Sequence, residues 1–214
     1  MDQHLFLFGG SLPFGEEFGK TYAELSSRSE GSVVILCLDR EGWESYMPIY
    51  RNILESNGIE HFSYVLLSHR PSPSDLKLLS DCSGIIICGG NTERYRAYIV
   101  DTPIGEVIKE RYKEGIPVAG FSAGALITPE HCVISPRDNE QEEQLFLQGL
   151  GFIKGCVLSA HFTKWDEEEN IKKAMDLTGT SIGYGLDDEA SIYFKNGQLA
   201  SIEGEGIHYF KMIV

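Results

Sequence analysis

Along the first half of the chain, short apolar runs alternate with longer amphipathic stretches. The runs at 5–8, 33–38, 63–67, 85–88 and 117–121 are too short for helices and are bounded by polar or glycine-rich residues. They predict strands buried on both faces. Between them, apolar positions recur at helical spacing and predict helices over 16–27, 43–56, 74–81, 92–100 and 103–114, with Ser74 and Thr92 as caps and Gly115 as a stop. Strands alternating with helical segments, two of them before the fifth strand, give an α/β class with a mostly parallel central sheet and helices on both faces.

The rhythm changes after Phe121. Residues 130–151 are more polar and show no clear period, a further helix is predicted over 166–177, and from Ser181 onward strands are separated by turn signals. Those strands fall at 191–194, 199–203 and 207–213, with Asn196-Gly197 as a hairpin turn and Gly204-Glu205-Gly206 as the next break. They read as an antiparallel C-terminal extension of the sheet. No linker, repeat or low-complexity tract interrupts residues 1–214, a length suited to one domain.

The 32 acidic residues outnumber the 18 basic ones, for a formal net charge of −14. That balance disfavours binding to a phosphate backbone, so nucleic acid is not an expected partner. The run Asp166-Glu167-Glu168-Glu169 reads as a solvated first helical turn. Cysteines 37, 82, 88, 132 and 156 form no Cys-x-x-Cys pair and read as reduced core residues, which points to the cytoplasm. Neither a basic leader nor a membrane-length apolar run is present, so secretion and membrane insertion are not expected.

Candidate chemistry begins at Gly120-Phe121-Ser122-Ala123-Gly124, directly after a predicted strand. The pattern fits a nucleophile elbow, a strand-to-helix turn so tight that the residues two before and two after the serine must be small. A Gly-rich turn can also do no more than close a connection. The base paired with Ser122 is sought among six histidines. His161 closes the run Val157-Leu158-Ser159-Ala160 and so falls at the carboxyl end of a strand, where open α/β sheets place their ligands. The rival, His131, stands too close in sequence to fold back easily. For the acid that holds the imidazole tautomer, Asp138 ranks first, Glu140 next, and Asp187 to Glu189 are more distant. Cys88-Gly89-Gly90-Asn91-Thr92 has two readings. It is a capped strand-to-helix turn, or the N–H of Gly90 (or Gly89) joins that of Ala123 in an oxyanion hole. No Walker or Gly-x-Gly-x-x-Gly pattern supports phosphate binding there.

Gly-Phe-Ser-Ala-Gly, the upstream Gly-Gly-Asn-Thr and the downstream Ala160-His161-Phe162-Thr163 together resemble peptidase family S51, which includes dipeptidase E and cyanophycinase. The resemblance spans most of the chain. It implies an amidotransferase-like, flavodoxin-like fold with serine in place of the usual nucleophilic cysteine, and neither cofactor nor metal. By motif position Ser122 corresponds to the nucleophile, His161 to the base and Asp138-Asn139 to the acid segment. Gly90 and Ala123 match the oxyanion hole, with Asn91, Thr92 and Lys164 as substrate contacts. The implied partner is a short peptide, and a homodimer is compatible with the fold. The family's arginines after His-Phe are missing, because no arginine follows His161. Lys164, Lys172, Arg94 and Arg96 are the candidates to substitute for them, but lysine lacks the bidentate fork that suits a carboxylate, so the expected specificity departs from that of dipeptidase E, which cuts after an N-terminal aspartate. Two other readings compete. One is a non-catalytic or regulatory binding protein that keeps the elbow as architecture. The other is an α/β-hydrolase esterase, against which stand the short Ser122-to-His161 interval and the lack of a His-Gly-Gly stretch.

Overall fold

A computed structural model describes residues 1–10 and 13–212. The first part of the chain runs β1 (His4–Phe8), α1 (Glu16–Ser26), β2 (Val33–Leu38), α2 (Met47–Ser56), β3 (Phe62–Leu67), α3 (Pro73–Ser80), β4 (Gly84–Ile87), α4 (Thr92–Ile99), α5 (Pro103–Lys113) and β5 (Val118–Phe121). A 3-10 turn at Trp43–Tyr46 precedes α2. The second part runs α6 (Ala123–Leu126), β6 (His131–Ile134), β7 (Leu145–Gln148), β8 (Cys156–Ser159), α7 (Phe162–Trp165), α8 (Glu168–Thr178), β9 (Ile182–Leu186), β10 (Ser191–Lys195), β11 (Gln198–Glu203) and β12 (Ile207–Lys211).

The main sheet has the order β11-β10-β1-β5-β4-β2-β3. Its strands β1, β5, β4, β2 and β3 are parallel, and β10 and β11 add to β1 as an antiparallel hairpin. Asn196 and Gly197 both take positive φ, as the two-residue hairpin turn requires. Every residue of β1, β4 and β5 is buried, which explains their unbroken apolar sequence. The edge strand β3 is only partly buried. Helices α1 and α2 pack together, as do α3 and α5. This is the division expected of right-handed crossovers that run outward from β1 through β2 to β3 and then return through β4 to β5.

Two helix caps differ from the sequence expectation. Ser72, not Ser74, caps α3 in a reciprocal box with Asp75, because Pro73 supplies the first helical position. Asn91, not Thr92, caps α4 through its side chain, which leaves the Thr92 hydroxyl for another partner.

The C-terminal strands are not all one extension. Strand β12 lies antiparallel to β9, and β9 lies parallel to β8, in a separate three-stranded sheet. Residue 213, at the end of the expected last strand, lies outside the described residues. The polar stretch from Glu130 onward forms the β6–β7 hairpin, with His131 opposite Gln148. All five cysteines are buried and free. Burial pushes the Cys37 and Cys82 thiols up to about 11, and Cys132 and Cys156 up to about 12, so they behave as core residues. Among the described residues, no helix is long and apolar enough to cross a membrane.

Candidate active site

Strand β5 ends in a turn that holds Ser122 at φ 48° and ψ −108°, a conformation L-residues rarely adopt. The turn is held by its backbone. The Ser122 N–H donates to the Phe8 carbonyl at 2.9 Å, and the Ser122 carbonyl accepts from Ala125 and Leu126 at 2.9 Å each. The small flanking residues are required by contact. A Cβ on Gly120 would lie 2.5 Å from the Gly124 carbonyl oxygen, and one on Gly124 would lie 2.2 Å from the Ile87 carbonyl oxygen. Gly124→Ala is therefore expected to destabilise the fold by about 2–4 kcal/mol, read as a lower urea midpoint. The same close approach brings α6 against the Ile87 and Cys88 carbonyls at the end of β4. The Ser122 N–H is already engaged, whereas the Ala123 N–H, at the first position of α6, has no intrahelical acceptor.

His161 follows β8 in a left-handed conformation, φ 51° and ψ 33°, and opens the single turn of α7. Its N–H donates to the Gly9 carbonyl at 3.2 Å, which fixes it above the carboxyl end of β1. Its Nε2 stands 2.9 Å from the Ser122 Oγ, and its ring lies 4.5 Å from the Trp165 ring, centroid to centroid. Ser122 is 8% exposed and the His161 side chain 16%, so the pair meets little solvent.

The carboxylate on the other imidazole nitrogen is not Asp138. The His161 Nδ1 is hydrogen-bonded to Asp188, in the loop after β9. Strands β8 and β9 run parallel with Ser159 opposite Gly185, so His161 and Asp188 leave the same edge of the small sheet. Glycines at 9 and 10 make room for this loop. A Cβ there would come within 2.2 Å of the Asp187 carbonyl oxygen and 2.6 Å of the Asp188 carbonyl oxygen. Burial alone would raise the Asp188 carboxyl. Hydrogen bonds from His161 and Lys164 outweigh it and hold the group below the ordinary range.

Asp138 instead accepts a short hydrogen bond from the Thr92 hydroxyl. Burial raises its carboxyl, and the Thr92 bond and the nearby imidazole only partly offset that. Glu140 is exposed in the turn that follows. The three expected substrate contacts are also engaged within the chain. The Asn91 side chain accepts from the Arg94 N–H, Thr92 is fully buried, and the Lys164 Nζ lies 3.1 Å from the Asp188 Oδ2.

A model of peptidase family S51 matches residues 30–202, most of the chain. The chain belongs to peptidase family S51. A cyanophycinase of Trichormus variabilis is 25% identical over 164 residues, covering 73% of this chain and 55% of its own length. An uncharacterized peptidase of Bacillus subtilis is 26% identical over 137 residues, covering 64% and 58%. This S51 chain thus spans about half the length of the curated relatives it matches. Its fold is shared with a peptidase from an acI-B1 actinobacterium, at TM-score 0.78 and 22% identity over 99% of this chain and 91% of the other. It is also shared with a putative peptidase E of Listeria monocytogenes, at TM-score 0.69 and 19% identity over 96% and 100%.

One acidic residue of this S51 chain departs from the expected solvated turn. Glu167 is 3% exposed and accepts from the Ser135 hydroxyl at 2.6 Å, the Asn170 amide at 3.0 Å and the Ser159 hydroxyl at 3.3 Å. Asp166, at φ 55°, reverses the chain between α7 and α8 and turns Glu167 inward. A buried carboxylate persists where such donors replace water. It ties β8, α8 and the loop that carries Asp138 together behind His161.

Proposed function

We propose that this chain is a serine peptidase that hydrolyses short peptides through an acyl-enzyme. The observation that carries the reading is the continuous array in which the Ser122 Oγ meets the His161 Nε2 at 2.9 Å while Asp188 holds Nδ1. In that arrangement the imidazole takes the hydroxyl proton as Oγ attacks the scissile carbonyl carbon. Negative charge gathers on the carbonyl oxygen, for which the Ala123 N–H and the Gly90 (or Gly89) N–H are the proposed donors. Collapse breaks the C–N bond, and the imidazolium gives its proton to the leaving amine. Water then attacks the ester with His161 again as base, releasing the acid and restoring the serine.

Specificity in this reading is related to that of dipeptidase E but altered. No arginine follows His161, and the lysine expected to replace it is bound to Asp188. No observation favours the non-catalytic alternative, because an elbow kept only as architecture needs no aligned base and acid. The experiment is labelling of folded protein with a fluorophosphonate, together with a short-peptide library that includes peptides beginning with Asp. Labelling at Ser122 and peptide cleavage are expected. A folded chain that resists the probe and cleaves no peptide overturns the reading.

A further inference from the structure

Helix α7 is one turn long, and two of its positions address a single carboxylate. His161 caps the turn and Lys164 lies within it, and both side chains reach the same carboxylate. The Asp188 Oδ1 meets the His161 Nδ1, and the Asp188 Oδ2 accepts from the Lys164 Nζ at 3.1 Å. The neighbouring Asp187 clamps the same turn, accepting from the Thr163 N–H at 2.7 Å and the Thr163 hydroxyl at 2.9 Å. Two consecutive carboxylates therefore hold one helical turn, and only the second also faces the imidazole.

We infer that Lys164 is a positioning residue that fixes the rotation of Asp188 against the imidazole, extending the array to Ser122–His161–Asp188–Lys164. The inference deepens the proposed function and rests on it for its catalytic meaning. Its physical basis is independent of turnover. With both carboxylate oxygens occupied, Asp188 cannot rotate away from Nδ1 without leaving a donor behind. The ammonium also sets a positive charge beside a ring that must become positive, and so opposes protonation of the free enzyme.

Other charges bear on the ring. Asp188 contacts it from the loop after β9, and Asp138 acts on it through space from the loop after β6. Both favour the imidazolium, and Lys164 is the cation that opposes them from α7. His208 on β12 is spent on Asp187, at 3.3 Å. The Lys164 side chain is 64% exposed, so salt screens its effect.

The test compares wild type with Lys164→Met and Lys164→Arg. In an NMR titration of the His161 ring, which needs no turnover, the midpoint is expected to rise by about half a pH unit in Lys164→Met. Lys164→Arg is expected to restore it. Salt at 1 M is expected to narrow the gap between wild type and the variant. For peptide hydrolysis, kcat falls about 3- to 10-fold in Lys164→Met with KM little changed, and the acid limb of kcat/KM moves up with the ring midpoint. Coincident ring titrations in wild type and Lys164→Met overturn the inference, as does a raised KM with unchanged kcat and limb, which would make Lys164 a substrate contact. If the wild-type chain hydrolyses no peptide, the proposed function fails and the ring titration still decides the role of Lys164.

Discussion

Ser122→Ala is expected to lower kcat for peptide hydrolysis by about 10⁴- to 10⁶-fold while leaving the fold intact. The loss is large because, in the proposed mechanism, it is this hydroxyl that forms the covalent intermediate. What remains is the rate that backbone donors and binding alone supply. The fold survives because the elbow does not depend on that hydroxyl. Its bonds to Phe8, Ala125 and Leu126 are made by the serine backbone, and alanine meets the same backbone demand. Removing the Oγ deletes one partly exposed hydrogen bond to His161, so the stability change is expected to stay within about 1 kcal/mol in urea unfolding. Hydrolysis that persists in a folded Ser122→Ala protein would falsify the nucleophile assignment.

The elbow and the histidine were legible in the sequence because each depends on local chemistry. Small residues two before and two after Ser122 mark a turn that only glycine fits, and the contacts of Gly120 and Gly124 supply the reason. His161 ends an apolar run, and an end of a buried strand is a position that sequence displays directly. The parallel strands β1, β2, β4 and β5 were legible for the same cause, since burial on both faces leaves an apolar run. Asp188 was legible only within the range 187–189, the most distant of the candidate acids. Its place follows from β9 lying parallel to β8, a long-range pairing between strands that the turn-rich C-terminal sequence presents as antiparallel. One signal was available. Asp187-Asp188 follow a strand end just as His161 does, with Gly9-Gly10 leaving room beside β1. Glu167 was misread for a related reason. The acidic run gives every member the same appearance, and only the left-handed turn at Asp166 selects the one that faces Ser135 and Ser159.

The pair Asp188→Asn and Asp138→Asn separates the acid that touches the imidazole from the one that the motif order favoured. Asp188→Asn is expected to lower kcat by about 10³- to 10⁴-fold, because an amide presents the wrong partner to Nδ1 and cannot stabilise the imidazolium. Asp138→Asn is expected to cost less than about 10-fold, since its amide oxygen still accepts from the Thr92 hydroxyl and nothing in the array is lost. The two variants are also expected to differ in how stability follows pH. The Asp188 carboxyl is held below the ordinary value, so its stabilisation is present above the unfolded-state pKa and is lost as pH falls through the folded one. Asp188→Asn is therefore destabilised relative to wild type at neutral pH, and the gap closes in acid. Asp138 is raised by burial, so its favourable contribution is present below the unfolded-state pKa and is lost as pH rises through the folded one. Asp138→Asn removes that loss and is more stable than wild type at neutral pH, with the gap again closing in acid. Thermal unfolding of the three proteins from neutral pH into the acid range reads both signs. Equal loss of kcat in the two variants, or a stability order in which Asp138→Asn is the weaker at neutral pH, would return the role to Asp138.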